Sequence, residues 1–146
     1  LEIAMACDLR IMSEEAFILS VFSNIALVPD GGLSWLLARN IGYSKALEFA
    51  IEAKKISSQE CLQLGIANKV CSPENLESET QKWAQSISMR SPQAVTNTKK
   101  IMRDSLEKKF IQTYEDEANT QNSIFGNDEF KEGVTAFFEK RKPVFK

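Results

Sequence analysis

The stretch IALVPDGGLSWLL, Ile25–Leu37, joins an apolar run, a proline, an acidic residue, a glycine pair and an apolar helix start. Pro29 fixes φ and ends any extended segment before it. Gly31 and Gly32 tolerate backbone angles that other residues avoid, and they let a neighbouring group approach the main chain. Beyond them, Leu33, Leu36, Leu37 and Ile41 recur at helical spacing. Asp30 is therefore expected at a turn, at or near a helix N-terminus. Orphan N–H groups and the positive end of the helix dipole favour a negative charge there. Local spacing leaves two roles open for Asp30, helix N-cap or acid–base group.

Upstream, LEIAMACD suits a tightly packed helix or a buried strand, and LRIMS, residues 9–13, alternates as a short strand. Glu2 is either a solvated end residue or a carboxylate inside apolar surroundings, which would need a partner. The long stretch from Ala16 to Pro29 reads as a strand followed by a turn or short helical segment. Phe17, Phe22 and Trp35 suit either an acyl pocket or plain core.

Downstream, Tyr43–Ala53 reads as a helix with Ala46, Leu47, Ala50 and Ile51 on one face. Ser57 with Glu60 is a capping-box signal for a short helix that ends at Gly65. IANKVCS gives a strand. Ser72-Pro73 and Ser91-Pro92 each open a further helix, with serine as N-cap and proline at the first helical position. The first runs to about Met89, with Leu76, Trp83, Ala84 and Ile87 on its apolar side. Another helix covers Phe110 to Ile124. Gly126-Asn127-Asp128 then breaks the chain before a final helix through Phe138. The chain is α-rich, with strands only in its first half. Its parts are residues 1–88 and an all-helical region, 89–146, whose amphipathic helices suit packing on a partner as well as on each other.

The composition narrows the chemistry. The 146 residues suffice for one domain with a real core, and the slight negative net charge gives no chain-wide field for nucleic acid. No apolar run has membrane-spanning length. The chain opens on LEIAMACDLRI without an initiator Met, so it is expected to be the interior of a longer polypeptide whose targeting region is not visible. The cysteines Cys7, Cys61 and Cys71 are odd in number, widely spaced and set in apolar or amphipathic contexts. They read as reduced, core-type residues of an intracellular protein rather than a disulfide frame or zinc site. Histidine is absent, which removes Ser-His and Cys-His pairs, an imidazole base and histidine-based metal sites from this chain. Acid–base work must fall to Asp, Glu, Lys, Tyr or Cys.

The ordered set LEIAMACDLRI, VPDGG, IGYSKALEF, KKISSQECLQLGIANKV and EGVTAFFEKRKPVF resembles the crotonase superfamily of enoyl-CoA hydratases and isomerases over the whole chain. The run FSNIALVPDGGLSWLL is most similar to the ring-epoxide phenylacetyl-CoA isomerases and related enoyl-CoA isomerases. The resemblance implies an α/β fold, the C-terminal part of a β-α spiral core followed by a helical trimerisation region. It implies an acyl-CoA substrate whose thioester oxygen is held on two backbone N–H groups, stabilising an enolate. Both of those groups lie outside this chain. No separate cofactor is implied, since CoA is part of the substrate, and no metal.

Residue by residue, Glu2 falls on the first catalytic glutamate of the hydratases, and Phe22 falls where they carry the second. Asp30 falls on the single acidic base of a subset of isomerases. Such an isomerase needs one base that takes a proton from one carbon and returns it to another. Asp30 as base, with Glu2 as supporting acid, is the catalytic expectation. Phe22, Gly31, Gly32 and Trp35 are expected at the substrate. Phe137 and Lys140 match positions that contact CoA from a neighbouring subunit of a trimer or dimer of trimers, with Lys140 at a CoA phosphate. Without the resemblance, Lys140 reads equally as part of a solvated basic tail. Two other readings stand beside the isomerase: an enoyl-CoA hydratase with a displaced second acid, and a non-catalytic acyl-CoA-binding or scaffold protein. The expected compartment is the cytoplasm or an organelle matrix.

Overall fold

The computed structural model describes residues 1–145. The chain divides into two compact units, Leu1–Gln81 and Lys82–Lys146, and the division falls within the helix Leu76–Ser88.

The first unit opens with α1 (Glu2–Ala6), so the small apolar opening is helical. Two short strands follow, β1 (Ile11–Ser13) and β2 (Phe17–Ile18), then a 3₁₀ turn at Phe22–Ile25. Next come α2 (Leu33–Ile41), α3 (Tyr43–Glu52), β3 (Ile56–Ser57), α4 (Ser58–Gln63) and β4 (Lys69–Cys71). Strands β1 and β4 pair in parallel, Met12 opposite Val70, while β2 and β3 pair antiparallel, Ile18 opposite Ile56.

The helical spacing after the glycine pair does what it predicts. Leu33 and Leu37 are fully buried, and Leu36 and Ile41 pack against the same core. Gly42, at φ 79°, separates α2 from α3 and turns the chain between them. The buried face of α3 differs from the expected one. Ala46 and Phe49 enter the core, while Leu47 and Ile51 are exposed. Phe49 contributes more apolar area than either, and burying it is worth about 1.5–3 kcal/mol. The capping box forms as expected: the Ser57 N–H donates to Glu60 Oε2 at 2.9 Å, and the Glu60 N–H donates to Ser57 Oγ at 3.3 Å.

Cys61 completes this core with Ile66 and Ala67, and burial pushes its thiol up to about 11. The core-type reading holds only there, because Cys7 is exposed and Cys71 half-buried. Arg10 ties the unit together. Its guanidinium donates to the carbonyls of Cys7 and Ile66 and to Asn40 Oδ1, and its N–H donates to Asn68 Oδ1 at 2.8 Å. Orphan carbonyls at the end of α1 and after α4 are thereby satisfied by one side chain.

After a 3₁₀ turn at Pro73–Asn75, α5 spans Leu76–Ser88. The second unit holds α6 (Pro92–Ser105), α7 (Phe110–Ile124) and α8 (Asp128–Phe138), as the sequence predicts. Ser91 caps α6 by accepting from the Ala94 N–H, and Asn127 caps α8 by accepting from the Phe130 N–H. Among the described residues no helix is long and apolar enough to cross a membrane.

Candidate functional site in the first unit and at the end of α8

The turn before α2 is built by its glycines. Gly31 and Gly32 have φ of 56° and 84°, the left-handed region that a β-carbon disfavours. Gly32, not Asp30, is the N-cap of α2, so the N-cap role weighed for Asp30 does not apply. Asp30 takes part through its backbone, accepting from the Leu33 N–H at 2.9 Å. Its carboxylate is exposed and makes no hydrogen bond or ion pair among the described residues. An acidic group that does no structural work is available for chemistry.

Glu2 sits in the first turn of α1, with its side chain 30% exposed. Its own backbone N–H holds its carboxyl below the usual carboxylate range. Its aliphatic stem lies over the glycine turn. A β-carbon built on Gly31 would stand 2.9 Å from Glu2 Cγ and 3.3 Å from Glu2 Cβ. Glu2 and the Asp30-Gly31-Gly32 turn, far apart in sequence, therefore meet at Gly31.

Phe22 begins the 3₁₀ turn and packs from the side against the core. The Ser23 hydroxyl ties that turn to α3 by donating to the Ile51 carbonyl at 2.9 Å. Trp35 is partly exposed on α2, with the Arg39 guanidinium 3.7 Å above its ring. Phe17 is covered by the Lys55 ammonium at 4.1 Å. A cavity of about 170 Å³ in this unit is lined by Phe49, Ile56 and Leu64, with Lys45, Lys54 and Glu48 around it. Those charges pair with one another: Lys45 donates to Glu48 at 2.8 Å and Lys54 at 3.2 Å. None of the expected site residues lines it.

The remaining two expected residues lie at the end of α8 in the second unit. Phe137 is exposed and meets Phe138 edge-on at 5.8 Å. Lys140 is exposed, with φ 55°, and has no hydrogen-bond or ion-pair partner among the described residues. Its position is the left-handed residue of a helix-ending motif. The Arg141 N–H donates to the Ala136 carbonyl at 3.0 Å, and the Lys140 N–H donates to the Phe137 carbonyl at 3.3 Å.

The basic tail concealed one arrangement that the sequence reading missed. The Arg141 guanidinium forks onto Glu132, with contacts of 2.6 and 2.9 Å, and donates through Nε to Glu139 at 2.6 Å. Glu132 also accepts from the Val144 N–H at 2.8 Å, and Arg141 holds its carboxyl down at about 2. The ring of Phe145 then rests against Gly133.

The sequence profile of the enoyl-CoA hydratase/isomerase family matches residues 1–146. A trans-2-decenoyl-acyl-carrier-protein isomerase from Streptococcus mutans is 35% identical over 98% of this chain and 54% of its own length. A peroxisomal Delta(3,5)-Delta(2,4)-dienoyl-CoA isomerase from Arabidopsis thaliana is 34% identical over 99% of this chain and 52% of its own. The crystal structure of an enoyl-CoA hydratase from Polaromonas sp. JS666 superposes with a TM-score of 0.94 at 30% identity, over 99% of this chain and 56% of that one. The chain thus spans about half the length of the relatives it matches. It has the α-rich C-terminal part of the crotonase fold, and it belongs to the enoyl-CoA hydratase/isomerase family.

Proposed function

We propose that the protein carrying this chain is an enoyl-CoA isomerase, with Asp30 as the proton-shuttling base. The observation that carries this reading is the meeting of Glu2 with the Asp30-Gly31-Gly32 turn, together with phenylalanine at position 22. A base removes the proton next to the thioester carbonyl, and the resulting enolate is reprotonated two carbons away. The double bond shifts and no atom is gained. One unencumbered carboxylate suffices for this, and Asp30 has no structural partner to lose. Glu2, beside the turn, is the supporting acid. The described residues leave Asp30 exposed, so the apolar walls of such a site would have to come from the bound acyl group or from other parts of the protein.

A hydratase reading draws on the same meeting, because Glu2 and Asp30 would then supply two carboxylates around one water. It requires Asp30 to take over the role that Phe22 cannot perform. The isomerase scheme needs no such displacement. Phe137 and Lys140 are proposed to contact CoA in a trimer or dimer of trimers, which the exposed Phe110, Phe125, Phe137 and Phe138 support. The proposed setting is the cytoplasm or an organelle matrix.

The test is turnover of a 3-enoyl-CoA by the native full-length protein, with the product weighed. Unchanged mass with a moved double bond supports the isomerase. Gain of one water supports the hydratase. Binding without turnover supports a non-catalytic acyl-CoA-binding or scaffold protein.

A further inference from the structure

We propose that Arg141 and Glu132 are positioning residues for Lys140, forming a clasp that presents its ammonium to a phosphate of coenzyme A. The inference rests on the proposed contact between Lys140 and CoA, and it names what makes that contact possible.

Three observations carry it. First, Lys140 occupies a left-handed position at the end of α8, where glycine is the ordinary occupant. Lysine held there against its backbone preference must be fixed by its surroundings. The next residue supplies that: Arg141 closes the helix end through its N–H to the Ala136 carbonyl, and its guanidinium is locked by the fork onto Glu132. Second, Glu132 and Glu139, carboxylates on and just beyond the last turns of α8, are both taken by Arg141. Lys140 is thereby left exposed and without a carboxylate partner, ready for an anion from outside. Third, Glu132 also accepts from the Val144 N–H, so the chain beyond Lys140 is turned back and fixed. The clasp thus fixes the backbone on both sides of Lys140 and leaves its ammonium available.

The test measures binding of coenzyme A to the full-length protein and to the Lys140→Ala, Arg141→Gln and Glu132→Gln variants, and to each clasp variant combined with Lys140→Ala. Lys140→Ala should weaken binding about tenfold. Each clasp variant should weaken it by a similar factor alone, and add little in the Lys140→Ala background, because the same contact is already gone. A purely structural role would instead weaken binding equally in both backgrounds and would overturn the proposal. If Lys140→Ala weakens binding while the clasp variants do not, the clasp is wrong and the Lys140 contact stands. If Lys140→Ala has no effect, the contact fails and the clasp fails with it. Arg141→Lys keeps the charge but loses the fork, and serves if Arg141→Gln does not fold; binding equal to wild type in that variant also overturns the proposal.

Discussion

Glu2 Cγ occupies the space next to Gly31 so closely that a β-carbon there would stand 2.9 Å away. The contact joins the start of α1 to the turn before α2. Gly31→Ala must then overcome both a positive φ and a collision, and should cost about 2 kcal/mol or more. Gly32→Ala meets nothing within 4 Å and pays for backbone alone, about 1–2 kcal/mol. Combining Gly31→Ala with Glu2→Ala should recover part of the larger loss. Urea unfolding of the wild type, Gly31→Ala, Glu2→Ala and the double variant forms a cycle that isolates the contact. Equal costs at the two glycines would show that Glu2 does not press on the turn.

Asp30→Asn separates chemistry from structure. The Asp30 carboxylate caps nothing and pairs with nothing among the described residues, so stability should stay within about 0.5 kcal/mol. Isomerase turnover should fall by about 100-fold or more, the usual worth of a lost acid–base group. Glu2→Gln should cost less. Full activity in the asparagine variant would remove Asp30 from the mechanism.

Much of this was legible in the chain because local signals and tertiary packing agree. The spacing of Leu33, Leu36, Leu37 and Ile41 fixes one buried face, and Ser57 with Glu60 writes its own cap. The misreadings have physical reasons. On α3 the apolar positions fall on more than one side, and the larger Phe49 took the core in place of Leu47 and Ile51. Asp30 is a good capping residue by type, yet two successive left-handed glycines moved the cap to Gly32. The three cysteines looked alike in local context, while only Cys61 lies where α4 meets the core. The site was only partly readable. The approach of Glu2 to Gly31 and of Arg141 to Glu132 joins residues with no periodic relation, so spacing carries no trace of either.

Lys140→Gly should expose a conflict between stability and binding. Glycine removes the left-handed penalty at φ 55° and should stabilise the protein by about 1 kcal/mol. It also deletes the exposed cation, so affinity for coenzyme A should fall. Urea midpoints and binding isotherms on the same preparation check both signs. A destabilised variant would mean that the lysine side chain is held by contacts that offset its backbone cost.

The Glu132–Arg141 pair makes the tail acid-sensitive in a defined window. The Arg141 guanidinium, and then the Val144 N–H, lower the Glu132 carboxyl from its ordinary 4.5 to about 2 in the folded chain. A depressed folded value means that the unfolded state binds the proton more readily. The clasp's contribution is therefore present in full above about pH 4.5, and it is lost as pH falls toward 2 and below. The Glu48 and Glu60 carboxyls are also lowered, by Lys45 and by the Ser57 N–H, so whole-protein unfolding alone would blur the effect. The Val144 amide reports it locally, because its acceptor is the titrating oxygen itself. Its hydrogen-exchange protection factor should hold from pH 7 to 5 and then drop toward pH 2, earlier than that of the core amide of Phe49. In Glu132→Gln the protection should be low at every pH and show no acid step. A step that survives the substitution would assign the acid sensitivity of the tail to another group.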